Sequence, residues 1–242
     1  SVDKQIFFLL DKGLEELNIS LYPIQKDQII KYLNLIEENN RLFNLTGFKT
    51  IKAILVELIF DSLSFIKTNF SFQEIDTAID IGTGAGIPGI PLKIIYPHIR
   101  FYYLDSNQKK INFLKLVSNQ LNLENSFFLC ERAELLGNNP LYREKFDVAF
   151  SRALSTLSTN LELVTPFIKV NKKAVFFKGG SYQKEISLSS NSLSQLNCHI
   201  DSVLSIPIPL SDRINYFILI SKFSSTPVIY PRRTGIPQKK PL

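Results

Sequence analysis

The 242 residues are 45% apolar and 21% charged, a balance that belongs to a folded protein with a substantial core and excludes a disordered chain. No apolar run is long enough to span a membrane, no signal peptide opens the chain, and two cysteines (Cys130, Cys198) with two histidines (His98, His199) make neither a disulfide framework nor a metal spacing, so a metal-free cytoplasmic protein without membrane attachment is expected. The net charge of +6 is compatible with a polyanionic partner without demanding one.

Residues 1–70 read as a helical extension. Ile6, Phe7, Leu10, Leu14 and Leu17 recur at helical spacing. Pro23 stands where a second helix can begin, and Ile29, Ile30, Leu33 and Ile36 form its apolar stripe, continuing toward Leu42. A third helix is expected over about 50–67, from Ile51 through Leu55, Leu58 and Ile59 to Phe65. Between them, Asn44-Leu45-Thr46 either caps a turn, a common use of Asn and Thr, or lines the mouth of a site.

From about residue 75 the pattern changes to alternating strands and helices, the signature of a parallel sheet covered on both faces. Ile75, Ala78, Ile79 and Ile81 mark the first strand, and Arg100 to Asp105 the second. A helix opened by Lys109 and Lys110 follows, then strands at 127–130, 146–150 and 173–178. A serine-rich helix is expected over about 182–196. Two last strands, near 198–206 and 214–222, are close enough to pair as an antiparallel hairpin, with Pro207 and Pro209 in the connection. The core thus runs over 71–225. The tail, 226–242, carries Arg232, Arg233, Lys239 and Lys240; its prolines exclude a regular helix. Such a tail either grips phosphates or is simply solvated.

The most informative stretch is Asp80-Ile-Gly-Thr-Gly-Ala-Gly-Ile-Pro-Gly89. Alternating glycines after a buried strand permit a sharp turn and leave no Cβ in the way of a ligand, while the amides and positive dipole end of the following helix are expected to face the same spot. Gly84-x-Gly86-x-x-Gly89 fits a dinucleotide fingerprint. S-adenosyl-L-methionine is the competing ligand. Asp80 favours it, because a carboxylate repels a pyrophosphate but can help hold a methionine ammonium. Asp105, at the end of the second strand, can accept both ribose hydroxyl protons and suits either ligand. Ala133 and Glu134, after the third strand, are placed to meet adenine.

A parallel sheet closed by an antiparallel hairpin is the architecture of class I S-adenosylmethionine-dependent methyltransferases, an α/β, Rossmann-like class. The motifs in order are Asn44-Leu45-Thr46, the glycine loop, Asp105-Ser106 with Lys109-Lys110, Arg132-Ala133-Glu134, Ser151-Arg152-Ala153, Lys178-Gly179 and Tyr230-Pro-Arg-Arg-Thr-Gly-Ile-Pro237. Together they resemble the RsmG/GidB family of bacterial 16S rRNA (guanine-N7) methyltransferases over about residues 35–242. The resemblance implies methyl transfer from S-adenosyl-L-methionine to a guanine N7 in 16S ribosomal RNA or the small subunit; a monomer without a metal is expected, although no motif encodes the oligomeric state. It implies cofactor contacts at Gly82, Ile87, Ala133, Glu134 and Arg152, which join Asp80, Gly84 and Asp105 from the reading of the loop and strand ends; Arg132 or Arg152 is expected to orient the target guanine or the cofactor. Asn44, Lys109, Lys110, Arg232 and Arg233 become candidate RNA contacts. Relatives often carry a His before the Asp-Ser-Leu of the third helix; here Leu58 precedes Asp61-Ser62-Leu63, so no chemistry is assigned there. An NAD-dependent oxidoreductase, and an RNA-binding protein that kept the fold without the activity, are the alternatives. The nucleotide position and the state of the substrate, naked rRNA or particle, are not encoded in any motif.

Overall fold

A computed structural model describes residues 2–152 and 155–242; Ala153 of the Ser-Arg-Ala motif lies outside the described residues. One sheet is built from β1 (Thr77–Ile81), β2 (Arg100–Asp105), β3 (Ser126–Cys130), β4 (Phe146–Arg152), β5 (Ile168–Lys178), β6 (Cys198–Pro207) and β7 (Ile214–Lys222), in the order β3-β2-β1-β4-β5-β7-β6. β1 to β5 are parallel, and β7 runs antiparallel to both β5 and β6. The chain order reverses between β1 and β4, and ligands of open parallel sheets lie over the carboxyl ends at such a point.

Continuous apolar runs make the central strands because helices bury both faces. On one face lie α1 (Val2–Glu16), α2 (Pro23–Asn40), a helical run from Ile51 to Lys67, α5 (Gly89–Ile95) and α6 (Gln108–Leu121). That run consists of α3 (Ile51–Ile54), a wider π turn (Leu55–Phe60), α4 (Asp61–Ser64) and a 3-10 turn. Phe65 joins it to the sheet, with Phe70, Phe72, Phe150, Phe177 and Phe217 around its ring. The N-terminal helices therefore share one apolar core with the sheet. On the other face lie α7 (Ala133–Leu136), α8 (Leu157–Val164), α9 (Tyr182–Ser187) and α10 (Ser190–Gln195).

Four expectations need correction. Leu42 does not extend the stripe of α2: the helix ends at Asn40, and Leu42 is exposed in the turn beyond it. The serine-rich helix is two short ones, because Ser187 and Ser189 return their hydroxyls to the Lys184 and Ile186 carbonyls between them. β5 begins five residues earlier than Lys173, at Ile168, with an irregular register against β4. The tail does hold one helical turn, α11 (Ile236–Lys239), since Pro237 sits in its first turn, where no intrahelical donor is needed.

The tail is docked rather than solvated. Arg143 donates to the Thr226, Pro227 and Tyr230 carbonyls. Asn138 donates to Pro231 O, Thr159 to Pro237 O and Ser192 to Leu242 O. Each uses a side chain to satisfy a backbone carbonyl that no regular element pairs.

Candidate active site

The glycine loop turns on residues with positive φ, +68° at Gly82, +57° at Gly84 and +100° at Gly86, a region open to glycine at no steric cost. A side chain at Gly84 would have nothing within 4 Å, whereas one at Gly89 would sit 2.8 Å from Asp80 Oδ2. The loop is thus open on its outer side and closed on its inner side. Asp80 is fully buried, and its Oδ2 accepts from Thr83 Oγ1 and Gly89 N, both at 2.8 Å. Burial holds the Asp80 carboxyl well above the usual carboxylate range. Tyr32 of α2 braces the loop from beneath, donating to Ala85 O at 2.6 Å.

This arrangement corrects the expectation that helix amides face a ligand. Gly82 and Thr83 donate to Leu104 O, Gly86 and Ile87 to Thr83 O, Gly84 to Asp105 Oδ2, Gly89 to Asp80, and Ile90 to Gly86 O. With these amides engaged, the first turn of α5 has few free donors to offer a pyrophosphate.

A cleft of about 180 Å³ lies over the carboxyl ends of β1, β2 and β3, bounded across the switch point by α8. Gly82, Asp105, Arg132, Ala133 and Glu134 line it, five of the residues singled out by sequence. Asp105 Oδ1 accepts from Asn107 N and Oδ2 from Gly84 N, both at 2.9 Å. Glu134 is buried, and its Oε2 has no hydrogen-bond partner among the described residues; Arg132 Nε stands 3.8 Å away. A buried acceptor without a donor is costly unless a ligand supplies one. A nucleoside amine or hydroxyl is such a donor, so the cleft fits an adenosine.

The other expected residues stand apart from the cleft lining. Asp80 and Ile87 are buried behind the loop. Arg152, at the end of β4, turns to the N-terminal helices, donating from Nε to Asp61 Oδ2 at 2.8 Å and from Nη2 to Glu57 O at 3.2 Å. Leu58 packs in the core. Asn44 is exposed and takes only Lys49 Nζ, at 3.4 Å, while the Thr46 hydroxyl accepts from Phe48 N, which is the turn-capping arrangement. Lys109 is exposed and Lys110 half-buried in the first turn of α6, whose cap Asn107 follows the cleft residues Asp105 and Ser106. Arg232 is folded inward on buried Glu162, with Nε and Nη2 at 2.8 and 2.9 Å from the two carboxylate oxygens; Arg233 is exposed.

Sequence reasoning missed Ser155, Thr159 and Leu163, which line the cleft from α8 and its approach, and Gln238 from the tail. Leu157, Leu161 and Val164, buried at helical spacing behind Thr156, were the available signal for α8. Nothing local signals Gln238.

The sheet order, the antiparallel β7 and the cleft over β1 to β3 define a class I S-adenosylmethionine-dependent methyltransferase. A solved S-adenosylmethionine-dependent methyltransferase from Aquifex aeolicus shares this fold, with a TM-score of 0.51, 19% identity and coverage of 69% of this chain and 92% of that one. Residues 25–208 match the family model GidB, rRNA small subunit methyltransferase G. The ribosomal RNA small subunit methyltransferase G of Alkaliphilus metalliredigens is 37% identical over 97% of this chain and 98% of its own; that of Bacillus subtilis is 34% identical over 95% and 96%. The chain belongs to the rRNA small subunit methyltransferase G (GidB) family.

Proposed function

We propose that the chain methylates N7 of a guanine in 16S rRNA, with S-adenosyl-L-methionine as donor. The observation that carries this reading is the convergence of Gly82, Asp105, Ala133 and Glu134 on one cleft whose buried Glu134 oxygen lacks a partner. In this reading Asp105 accepts from the ribose, Ala133 and Glu134 meet the adenine, and Gly82 and Gly84 leave room for the methionine end. Asp80 and Ile87 act indirectly, by fixing the loop. When bound, the donor supplies an electrophilic methyl group on a sulfonium. Guanine N7 has a lone pair and no hydrogen, so the chain need not remove a proton; it must hold the two reactants in line. Arg132 and Arg152 are assigned that orienting role.

For RNA, exposed Arg233, Lys109 and Asn44 and half-buried Lys110 are assigned to substrate contact, the cations because guanidinium and ammonium groups fit phosphates. Arg232 is assigned to fixing the tail instead. The protein is read as a cytoplasmic monomer in which extension (1–70), core (71–225) and tail (226–242) act together. No helix among the described residues is long and apolar enough to cross a membrane.

Calorimetric titration with S-adenosyl-L-methionine, with NAD in parallel, tests the cleft. Saturable binding of the methyl donor alone, then N7-methylguanosine in digested 16S rRNA, is the expected result. NAD binding alone would overturn the reading, and donor binding without methylation of rRNA or small subunits would leave an RNA-binding protein with a silent site.

A further inference from the structure

Asp61-Ser62-Leu63 has so far been given no function, yet Asp61 is the centre of a polar cluster outside the cofactor cleft. Its side chain is 2% exposed. One carboxylate oxygen accepts Arg152 Nε at 2.8 Å; the other accepts Asn215 Nδ2 at 3.0 Å and Arg213 Nη2 at 3.3 Å. Arg213 also pairs with Glu57 Oε2 at 2.6 Å. Asn215 further donates to Asp61 O and Ser64 Oγ. Two cations and two carboxylates close the cluster without net charge. They come from the helical run 51–67, the end of β4 and the β6–β7 turn, so the cluster binds the N-terminal helices to the carboxyl edge of the sheet.

We infer that Asp61 is a positioning residue for methyl transfer, acting through Arg152. Arg152 is gripped at two points that demand a fixed orientation, a carboxylate at Nε and the Glu57 carbonyl at Nη2. The wide π turn that carries Glu57 presents this carbonyl to it. Nη1 has no partner among the described residues, and the side chain is 23% exposed. A planar guanidinium held at two nitrogens therefore offers its third in one direction. In-line transfer is sensitive to such orientation, since a misplacement of about 1 Å costs on the order of a hundredfold in rate. Arg213 and Asn215 hold Asp61 in turn, which fixes the carboxylate before Arg152 meets it. The inference rests on the reading that Arg152 contacts the cofactor or the target guanine.

A double-mutant cycle tests it, with kcat and KM measured for methyl transfer to small-subunit rRNA. Asp61→Asn keeps the shape and removes the charge. It is expected to lower kcat about tenfold or more while KM for RNA changes less than about threefold. In an Arg152→Ala background the same change is expected to cost less than about twofold, because the residue it positions is gone. Equal losses in both backgrounds would make Asp61 merely structural and overturn the inference. An Arg152→Ala enzyme with unchanged turnover would instead overturn the reading of Arg152 itself. Should Asp61→Asn fail to fold, Asn215→Ala takes its place in the same cycle, since it loosens the Asp61 carboxylate and leaves every charge of the cluster in place. A loss of kcat that disappears in the Arg152→Ala background supports the inference, and an equal loss in both backgrounds, or none, refutes it.

Discussion

Arg232→Ala separates the two arginines of the Pro-Arg-Arg motif. Arg232 meets Glu162 through Nε, Nη2 and its backbone amide, at 2.8, 2.9 and 3.0 Å, and donates to Lys240 O at 2.7 Å. Glu162 is wholly buried, and the Arg232 side chain is 26% exposed. The carboxylate raises the already high pKa of this guanidinium further. Removing one partner of a buried pair leaves the other charge desolvated, at a cost of about 3–5 kcal/mol. Two features reduce that here: the Arg232 amide remains as a donor, and the partly exposed arginine leaves a space that water can enter. The expected loss is therefore about 2–3 kcal/mol, or about 4–12 °C in the melting temperature of a chain of this size. Differential scanning calorimetry measures it. Adding Glu162→Gln to the variant should restore about 1–2 kcal/mol, because the stranded charge is gone while an acceptor for the amide remains. A shift below about 2 °C, or a double variant less stable than Arg232→Ala, would refute the claim that this pair pins the tail.

Arg233→Ala should change stability by less than about 0.5 kcal/mol but weaken RNA binding and flatten its dependence on salt by about one counterion; an unchanged slope in filter-binding titrations would remove Arg233 as a phosphate contact. Lys93 is buried, with its ammonium on the Pro97 and Ile99 carbonyls, and burial lowers its pKa from 10.5 to about 8. Between these values the unfolded chain holds the proton and the folded chain does not, so this group makes stability rise with pH from about 8 to 10.5. In urea titrations the stability of wild type relative to Lys93→Met should climb through that window, and a constant difference would contradict it. Deleting residues 236–242 removes Gln238 from the cleft wall and should weaken S-adenosyl-L-methionine binding by a few fold, about 1 kcal/mol or less; unchanged calorimetric affinity would place the tail outside the cofactor site.

The features legible in the sequence were those that repeat or stand at fixed spacing. The apolar strands that carry Asp80 and end in Asp105, the alternating glycines and the Arg-Ala-Glu after β3 marked the parallel core and five residues of the cleft lining. The extent of α8 was not read, although Leu157, Leu161 and Val164 carry its stripe. With that helix went Thr159, Leu163 and Glu162, the buried base on which the tail rests. The polar partners were harder still. Arg143 reaches carbonyls more than 80 residues away, and Asp61 meets Asn215 across 154 positions; no periodicity encodes such pairs.

Asp80 shows how much of a residue's setting lies beyond the sequence: its Oδ2 is taken by the loop, while its Oδ1 is buried with no hydrogen-bond partner among the described residues. A carboxylate before a glycine loop suits a cationic ligand, and the sequence offers no sign that the loop itself would use it. The fold places Gly89 so close that Asp80 accepts its amide and the Thr83 hydroxyl, leaving the carboxylate inside the protein. The discrimination against a pyrophosphate survives, by a different route. It comes less from repulsion at the ligand than from the closure of the amides that a phosphate would need, since Gly84 is tied to Asp105 and Gly89 to Asp80. The two acids thus shape the loop, and of the two only Asp105 also lines the cleft.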